Sequence, residues 1–294
     1  MKRIAKPAAK RCALILLSAV LAGCALAPAN HAGGDAPRHA AIVPLKAQRP
    51  VLGLVLGAGG ARGFAHVGVI KALEAAGLAA DVVVGASSGA LVASFYAGGM
   101  NARTLEAMAL ALEDQDLFDF TLFGPGRVEG RRLQNFVNHT LDGRLIEALE
   151  KPFAAVAAER DSGRMAVFNR GNTGIAVRAS ASVPKVFWPV IIHGHSYVDG
   201  GVASRVPVSL AREMGADVVV AVDISRRPAD EADAADVVIR PVTVRSRIDD
   251  FQHRLANIAA GEAAARAAIE QIRSRLAAVA ERKAEGQGRE RVNR

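Results

Sequence analysis

The feature that most constrains this chain is the pentapeptide GASSG at residues 85–89, which follows a run of three valines. A serine on a sharp turn between a strand and a helix has its hydroxyl pushed out of the sheet. Glycine at both flanking positions, here Gly85 and Gly89, lets such a turn close. The pattern predicts a buried strand, a turn with Ser87 as a candidate nucleophile, and a helix that begins near residue 90. The pentapeptide alone is a weak signal, so its surroundings must decide.

A glycine-rich loop precedes this turn. Residues 51–56 form a short apolar run, residues 57–63 read GAGGARG, and residues 64–76 have helical spacing. Strand, loop, helix and the valine strand together predict a βαβ unit with parallel strands, so both loops emerge at the same edge of the sheet. A loop of this kind presents free N–H groups that bind an anion.

Two anions fit such a loop. A dinucleotide pyrophosphate calls for an acidic residue at the end of the second strand to hold the ribose. That position is occupied by the Ser87 turn. An oxyanion formed when Ser87 attacks an ester carbonyl is therefore the favoured interpretation.

A carboxylate follows a third short apolar run. Residues 197–201 read YVDGG, which places Asp199 at a predicted strand end before two glycines. Further along, residues 206–214 read as a helix and residues 216–222 as a buried strand. The chain is expected to fold as an α/β protein, with a mostly parallel sheet flanked by helices.

Two apolar segments permit more than one interpretation. Residues 117–123 hold three phenylalanines and could line an acyl channel or dip toward lipid, although ordinary core is favoured. Residues 246–285 predict a long basic amphipathic helix with a seven-residue apolar repeat. This helix could join two chains, but packing against the body of the protein is favoured, and the oligomeric state stays open.

The N-terminus predicts export and lipidation. Residues 1–23 combine a positive start with an apolar run too short to cross a bilayer, as in a signal peptide. The ending LAGC resembles the lipobox of bacterial lipoproteins, in which a cysteine, here Cys24, carries a diacylglyceryl group; an ordinary secretory signal is the alternative. Ala25 then implies the outer membrane if the source is Gram-negative. Residues 24–49 read as a tether, residues 50–225 as a catalytic domain, and residues 226–294 as a C-terminal extension.

The net charge of +8 does not indicate nucleic-acid binding. Five of the positive charges lie in the predicted signal peptide, and residues 240–294 hold a net charge of +5. The body of the chain is therefore close to neutral.

With these residues in place, the chain resembles the bacterial patatin-like phospholipases over about residues 51–225. Three motifs agree in order: the glycine loop with a basic residue, Arg62, before its last glycine; the serine turn; and the Asp-Gly-Gly sequence. The runs around residues 64–69, 181–184 and 206–208 are also similar to the family. One departure is Ala58, where many members have glycine; a methyl group should be tolerated there.

The resemblance implies a Ser87–Asp199 dyad that hydrolyses fatty-acyl esters of phospholipids, lysophospholipids or related lipids without a metal or cofactor. The implied oxyanion donors are the N–H groups of Gly59, Gly60 and Ala61. Arg62 could add positive charge near the oxyanion or a lipid phosphate, or pair with a carboxylate. The remaining motif positions are expected to support this geometry: Gly57, Gly63, Gly85, Gly89, Gly200 and Gly201.

Two other functions are compatible with the sequence. An α/β-hydrolase triad of serine, acid and histidine could use His193, His195 or His253, all of which follow Ser87. The chain could also be a non-catalytic lipid-binding envelope lipoprotein.

Overall fold

The computed structural model of the chain describes residues 27–292, with the backbone alone from residue 286 onward. Its strands are β1 (Asn30–His31), β2 (Leu52–Leu56), β3 (Val82–Ala86), β4 (Phe153–Glu159), β5 (Met165–Phe168), β6 (Val190–Ile192), β7 (His195–Asp199), β8 (Val218–Val222) and β9 (Val237–Ile239). Its α-helices are α1 (Phe64–Ala75), α2 (Ser88–Ala97), α3 (Ala102–Ala111), α4 (Asp114–Leu117), α5 (Arg131–Thr140), α6 (Thr173–Ser180), α7 (Val208–Glu213) and α8 (Arg254–Val292).

One sheet forms the centre of this α/β fold, in the order β1-β6-β7-β4-β3-β2-β8-β9, with β5 pairing with β4. The pairs β1–β6, β2–β3, β2–β8, β3–β4 and β8–β9 are parallel. The pairs involving β5 and β7 are antiparallel. The mostly parallel sheet predicted from the sequence is confirmed. Its central strands β2, β3 and β8 are buried on both faces, which is why they read as unbroken apolar runs.

Two strands meet end to end on one edge of β4. Strand β3 pairs with β4 up to Ala86 opposite Val156, and β7 pairs with β4 from Asp199 opposite Ala157. Strand β5 overlaps both stretches of β4, so it must occupy the other edge. Because β3 and β7 run in opposite directions, their carboxyl ends converge. The fold thus brings together two segments more than a hundred residues apart in the chain.

Helices cover both faces of the sheet. Helices α1, α2, α3, α5, α6 and α8 contribute to the larger apolar core, and α7 packs with a smaller core on the opposite face. Within residues 27–292, no helix is both long enough and apolar enough to cross a bilayer.

The C-terminal helix packs against the body, as favoured from its sequence. Ile258, Ala265, Ile272 and Val279 are buried in the core, whereas Leu255 of the same repeat is exposed. The helix begins at residue 254 rather than at the predicted 246. Residues before it form turns, in which side-chain and backbone bonds replace helical ones.

Helices α1 and α8 approach closely through two glycines. A Cβ atom built on Gly68 would lie 1.9 Å from the Ile258 carbonyl oxygen, and one built on Gly261 would lie 1.9 Å from the Ala65 oxygen. Glu262, which interrupts the apolar repeat, forms an ion pair with Lys71 of α1 at 3.3 Å. The extension after residue 225 is thus fastened directly to the helix that follows the glycine loop.

The segment interpreted as a tether contacts the body over its described part. Strand β1 pairs with β6, the Leu45 N–H donates to the Met214 oxygen at 2.9 Å, and Ala36 is buried. These contacts are mainly backbone bonds, which an irregular side-chain pattern does not reveal. Cys24 and the predicted signal peptide lie outside the described residues, and the proposed domain limits stay predictions.

The close contact between α1 and α8 predicts an unusual result for Gly261→Ala. Alanine in a helix interior ordinarily stabilises by about 1 kcal/mol relative to glycine. Here the added methyl group would meet a backbone oxygen, so we expect a loss of about 1–3 kcal/mol in the free energy of unfolding. Urea denaturation measures it. The exposed Ala259→Gly should show the ordinary loss of about 1 kcal/mol, and a stabilised Gly261→Ala protein would contradict the close contact.

Candidate active site

Ser87 occupies the strained turn that its sequence predicts. It lies between β3 and α2 with φ 55° and ψ −126°, a conformation that costs a non-glycine residue on the order of 1–3 kcal/mol. The flanking glycines are required by close approach: a Cβ atom on Gly89 would lie 2.0 Å from the Leu56 oxygen. One on Gly85 would lie 2.4 Å from Ala90. The helix begins at Ser88, directly after the candidate nucleophile.

A buried hydroxyl holds this turn in place. The Ser87 N–H donates to Ser180 Oγ at 2.9 Å, and the Ser180 hydroxyl donates to the Val156 carbonyl at 2.5 Å. Ser180 is fully buried at the end of α6. The local sequence carries no signal for this role, because both partners are distant in the chain.

Asp199 lies beside Ser87 because β3 and β7 converge. Its N–H donates to the Ser182 oxygen at 2.9 Å, and its Oδ1 accepts from the Gly201 N–H at 2.8 Å. A Cβ atom on Gly200 would lie 2.1 Å from the Val156 oxygen, so this glycine lets the turn pass close to β4.

The Asp199 carboxylate is almost entirely buried, and this burial raises its pKa to about 6. Hydrogen bonding from the Ser87 hydroxyl and the Gly201 N–H opposes the rise. The Ser87 contact is looser than a fully formed hydrogen bond, since Oδ2 has no partner at bonding geometry. The carboxyl group thus lies next to the Ser87 hydroxyl and keeps one buried acceptor oxygen without a partner.

The glycine loop is fixed at its start and open in its middle. The Gly57 N–H donates to the Val222 oxygen and the Ala58 N–H to the Arg205 oxygen. Gly60 has φ 59° and begins a short 3₁₀ helix that ends at Gly63. Within the described residues, the N–H groups of residues 59–61 donate to no backbone carbonyl.

Two of the predicted oxyanion donors, Gly60 and Ala61, line the same pocket as Ser87. Gly59 does not line it and packs instead against Ile224, whose Cδ1 would lie 2.4 Å from an added Cβ atom. The methyl group of Ala58 is accommodated beside Gly201.

Gly63 packs closely on Ser88, which ties the glycine loop to the start of α2. His66 supports the glycine loop through a hydrogen bond to its first residue. Its Nε2 lies 2.8 Å from the Gly57 carbonyl oxygen, and since a carbonyl only accepts, Nε2 carries the proton. Burial lowers the His66 pKa to about 4, so the ring is neutral near pH 7 and acts as a buttress.

Arg62 is half-buried and does not line the pocket. Burial lowers its pKa, the charge of Arg226 lowers it further, and Asp223 opposes the change. No carboxylate within the described residues lies within 4 Å of its guanidinium, and its buried Nε has no partner. The predicted pairing with a carboxylate is therefore not formed as a direct ion pair.

Ser87 contributes to the wall of an apolar pocket. Its walls come from α1, α2, α3 and α5. The favoured interpretation of residues 117–123 as ordinary core is wrong for three of them: Leu117 and Phe118 line the pocket, whereas Phe120, Leu122 and Phe123 are exposed. Ile248 and Phe251, contributed by the chain after residue 225, complete the wall. No local pattern at Ile248 or Phe251 indicates that these two residues contact the pocket.

The three candidate triad histidines lie elsewhere. His193 is in the turn between β6 and β7, and His195 begins β7, four residues before Asp199 and so about 13 Å away along the strand. His253 faces Asp250 at 4.0 Å. None of the three lines the pocket that contains Ser87.

The buried carboxylate predicts that Asp199→Asn alters the pH dependence of stability. The folded-state pKa of about 6 exceeds the ordinary 3.8, so the wild type loses stability as pH rises through this window. The Asn variant should lack that loss. Its change in unfolding free energy from pH 4 to pH 7 should therefore be more favourable than that of the wild type by on the order of 1–3 kcal/mol. Urea denaturation at both values measures it, with Asp161→Asn in an exposed turn as the control. An identical pH dependence in Asp199→Asn and wild type would contradict the raised pKa.

Comparison with known proteins identifies a family of similar chains. Residues 54–212 match the family profile described as Patatin-like phospholipase. Two uncharacterized NTE family proteins of Mycobacterium tuberculosis are 35% and 31% identical over 205 and 203 residues, each covering 68% of this chain and 35% and 56% of the relative. Patatin-like phospholipase domain-containing protein 6 of Mus musculus is 33% identical over 190 residues, covering 62% of this chain and 14% of that protein. The chain thus spans between about a seventh and just over half of these relatives.

Solved structures show a related fold. VipD from Legionella pneumophila superposes with a TM-score of 0.59 at 15% identity, covering 77% of this chain and 67% of that one. The type III effector protein ExoU, from Pseudomonas aeruginosa, superposes with a TM-score of 0.51 at 16% identity, covering 77% and 53%. Identities this low indicate the fold alone. Because the family profile covers more than half of its length, the chain belongs to the patatin-like phospholipase family.

Proposed function

We propose that the protein is a serine acyl hydrolase that cleaves fatty-acyl esters of phospholipids, lysophospholipids or related lipids through Ser87 and Asp199. The observation that carries the proposal is the buried, unpartnered Asp199 Oδ2 beside a serine on a strained turn, at the base of an apolar pocket. The apolar walls of the pocket suit an acyl chain. Family membership supports the same class of reaction.

In the first half of the reaction, Ser87 Oγ attacks the ester carbonyl as its proton moves to Asp199 Oδ2. The raised pKa makes this carboxylate a stronger base than an exposed aspartate. The negative charge that forms on the carbonyl oxygen is stabilised by N–H groups of the glycine loop, chiefly those of Gly60 and Ala61. Collapse of the tetrahedral intermediate transfers the proton from Asp199 to the leaving alcohol and leaves an acyl-serine.

In the second half, water attacks the acyl-serine and gives a proton to Asp199. The oxyanion forms again in the same loop. Its collapse releases the fatty acid and returns the proton to Ser87 Oγ, so the enzyme is regenerated. A single carboxylate thus acts as base and acid in turn.

Fluorophosphonate labelling tests this function. The wild type should be labelled and should hydrolyse a soluble short-chain ester. Ser87→Ala should lose both properties, and Asp199→Asn should retain its fold while turnover falls by about 10³-fold or more, because an amide cannot accept the proton. His193→Ala, His195→Ala and His253→Ala should keep most activity. A folded wild type that never reacts would indicate a non-catalytic lipid-binding protein, and loss of activity in one histidine variant alone would indicate a triad.

Ser180 does not line the pocket, but its position predicts that removing its hydroxyl lowers turnover. Removing its hydroxyl in Ser180→Ala frees the Ser87 N–H and lets the strained turn relax. A displacement of about 1 Å can cost about 10²-fold, so kcat should fall by 10- to 100-fold with little change in KM. Ser94→Ala is the matched control, because this buried hydroxyl bonds only to Leu91 in its own helix. Unchanged kcat in Ser180→Ala would show that the turn holds without the bridge.

We also propose that the protein is anchored to the bacterial envelope by lipid on Cys24, at the outer membrane if the source is Gram-negative. The LAGC sequence after the apolar run supports this. Radiolabelled fatty acid should be incorporated into the wild type and not into Cys24→Ser. Incorporation that persists in the variant would place the lipid on another residue.

A further inference from the structure

A loop beside the pocket exposes apolar side chains on a well-supported base. We call residues 120–128 the 120–128 loop. Phe120 and Val128 form an antiparallel bridge, and the Thr121 N–H donates to the Arg127 oxygen at 2.8 Å. Trp188 Nε1 donates to the Gly126 oxygen at 3.0 Å. The loop is therefore held at both of its ends and at its tip.

The buried guanidinium of Arg178 supports the residues that follow this loop. It donates to the Glu129 carbonyl at 2.8 Å and to Gln134 Oε1 at 3.0 Å. The Asp119 carboxylate, just before the loop, accepts from the N–H groups of Gly130 and Arg131 at the start of α5. Because the residues at the ends of the 120–128 loop are held in this way, the tip of the loop can be exposed while the loop stays folded.

The tip of the loop is apolar although it faces water. The exposed fractions are 63% for Phe120, 94% for Leu122 and 68% for Phe123. The residues that complete the tip, Gly124, Pro125 and Gly126, carry no charge. Three large apolar side chains this exposed within four residues mark an interaction surface.

Aromatic contacts connect the loop to the pocket. Phe120 stacks on Phe118 with ring centroids 5.9 Å apart and an interplanar angle of 16°. Phe118 lines the pocket and contacts Phe187 at 5.5 Å and Phe251 at 6.1 Å, which line it too. An acyl chain that leaves a bilayer at the loop would therefore meet apolar side chains from the surface to Ser87. This continuity favours lipid over a protein as the partner.

The charges near the loop specify the kind of lipid surface. The shallow grooves beside it are lined by both signs of charge in similar numbers: Arg127, Arg132, Arg247 and Arg254 against Glu113, Asp114, Asp119, Asp249 and Asp250. A surface that binds anionic lipid by attraction needs an excess of cations, which these grooves lack. Docking must then depend on insertion of the apolar tip.

We propose that the 120–128 loop inserts into the headgroup boundary of a zwitterionic phospholipid bilayer and positions the pocket over the lipid that supplies the acyl chain. The inference rests on the proposed hydrolase function and names the surface from which that site takes its substrate. Amphipathic elements at this boundary bury their apolar side while the charged side stays in water.

Vesicle sedimentation tests the proposal. The parent for this test is the full chain with two substitutions: Cys24→Ser removes the acyl anchor, and Ser87→Ala removes turnover. Phosphatidylcholine vesicles serve as the probe. Adding Phe123→Asp or Leu122→Asp should lower partitioning at least 10-fold, and 0.1–0.5 M salt should change partitioning of the parent chain less than 2-fold. Val43→Asp, at a side chain 85% exposed outside the loop, should partition like the parent.

Activity in the Cys24→Ser chain provides the second measurement. Phe123 and Leu122 do not line the pocket. Their aspartate variants should hydrolyse a soluble short-chain ester within 2-fold of the parent and vesicle phospholipid at least 10-fold more slowly. If no chain hydrolyses the soluble ester, the proposed function fails while the sedimentation result still stands.

Two outcomes would overturn the inference. Equal partitioning of Phe123→Asp, Leu122→Asp and the parent would show that the loop does not dock on the bilayer. A parent chain that is dimeric by light scattering and becomes monomeric with Phe123→Asp would show that a second copy covers the loop.

Discussion

The site depends on one buried hydroxyl that bridges two strands. Ser180 accepts the N–H of Ser87 and donates to the carbonyl of Val156, the β4 residue opposite Ala86. A serine with φ 55° persists only where surrounding contacts determine it. The hydroxyl supplies such a contact at the point where β3 ends. The same segment fixes the second member of the pair, because the Ser182 oxygen accepts the N–H of Asp199.

Burial sets the chemistry of the titratable groups around that bridge. Both Asp199 and His66 are desolvated, and each shifts toward its neutral form, with pKa values of about 6 and about 4. The outcomes differ because the partners differ. His66 satisfies its proton on the Gly57 carbonyl and serves the backbone, whereas Asp199 keeps one oxygen free beside a hydroxyl. Of the two groups, Asp199 is the one that lies against the Ser87 hydroxyl.

The local sequence predicted the parts of the site that depend on neighbouring residues. A strand, a glycine loop and a helix follow from apolar period and glycine spacing, and so does the turn at Ser87. The choice of Asp199 over the histidines came from the Asp-Gly-Gly motif and the family resemblance. In the structure, Asp199 lies near Ser87 because β3 and β7 converge on one edge of β4. Each of these strands pairs with β4, which is distant in the chain, and such pairing leaves no periodic signal in the sequence of either strand.

The roles of Ser180, Ile248 and Phe251 could not be predicted for the same reason. Each acts on a partner far away in the sequence. Phe251 belongs to the apolar repeat of residues 246–285, but such a repeat indicates that a residue packs and not what it contacts. The late start of α8 is related to this. Residues expected to extend the helix instead turn over the pocket, where Phe251 meets the edge of Phe64 at 5.1 Å. Packing at the site thus overrides helical spacing.

The C-terminal helix and the glycine loop are mechanically connected. The loop leads directly into α1, and α1 is held by α8 through backbone contacts at Gly68 and Gly261 and by the ion pair between Lys71 and Glu262. Well-packed helices transmit displacement because their interiors contain little free volume. A shift of α8 would therefore move the N–H groups of the glycine loop, as well as Phe251 on the pocket wall. The segment after residue 225 contributes to the site through both its rigidity and its side chains.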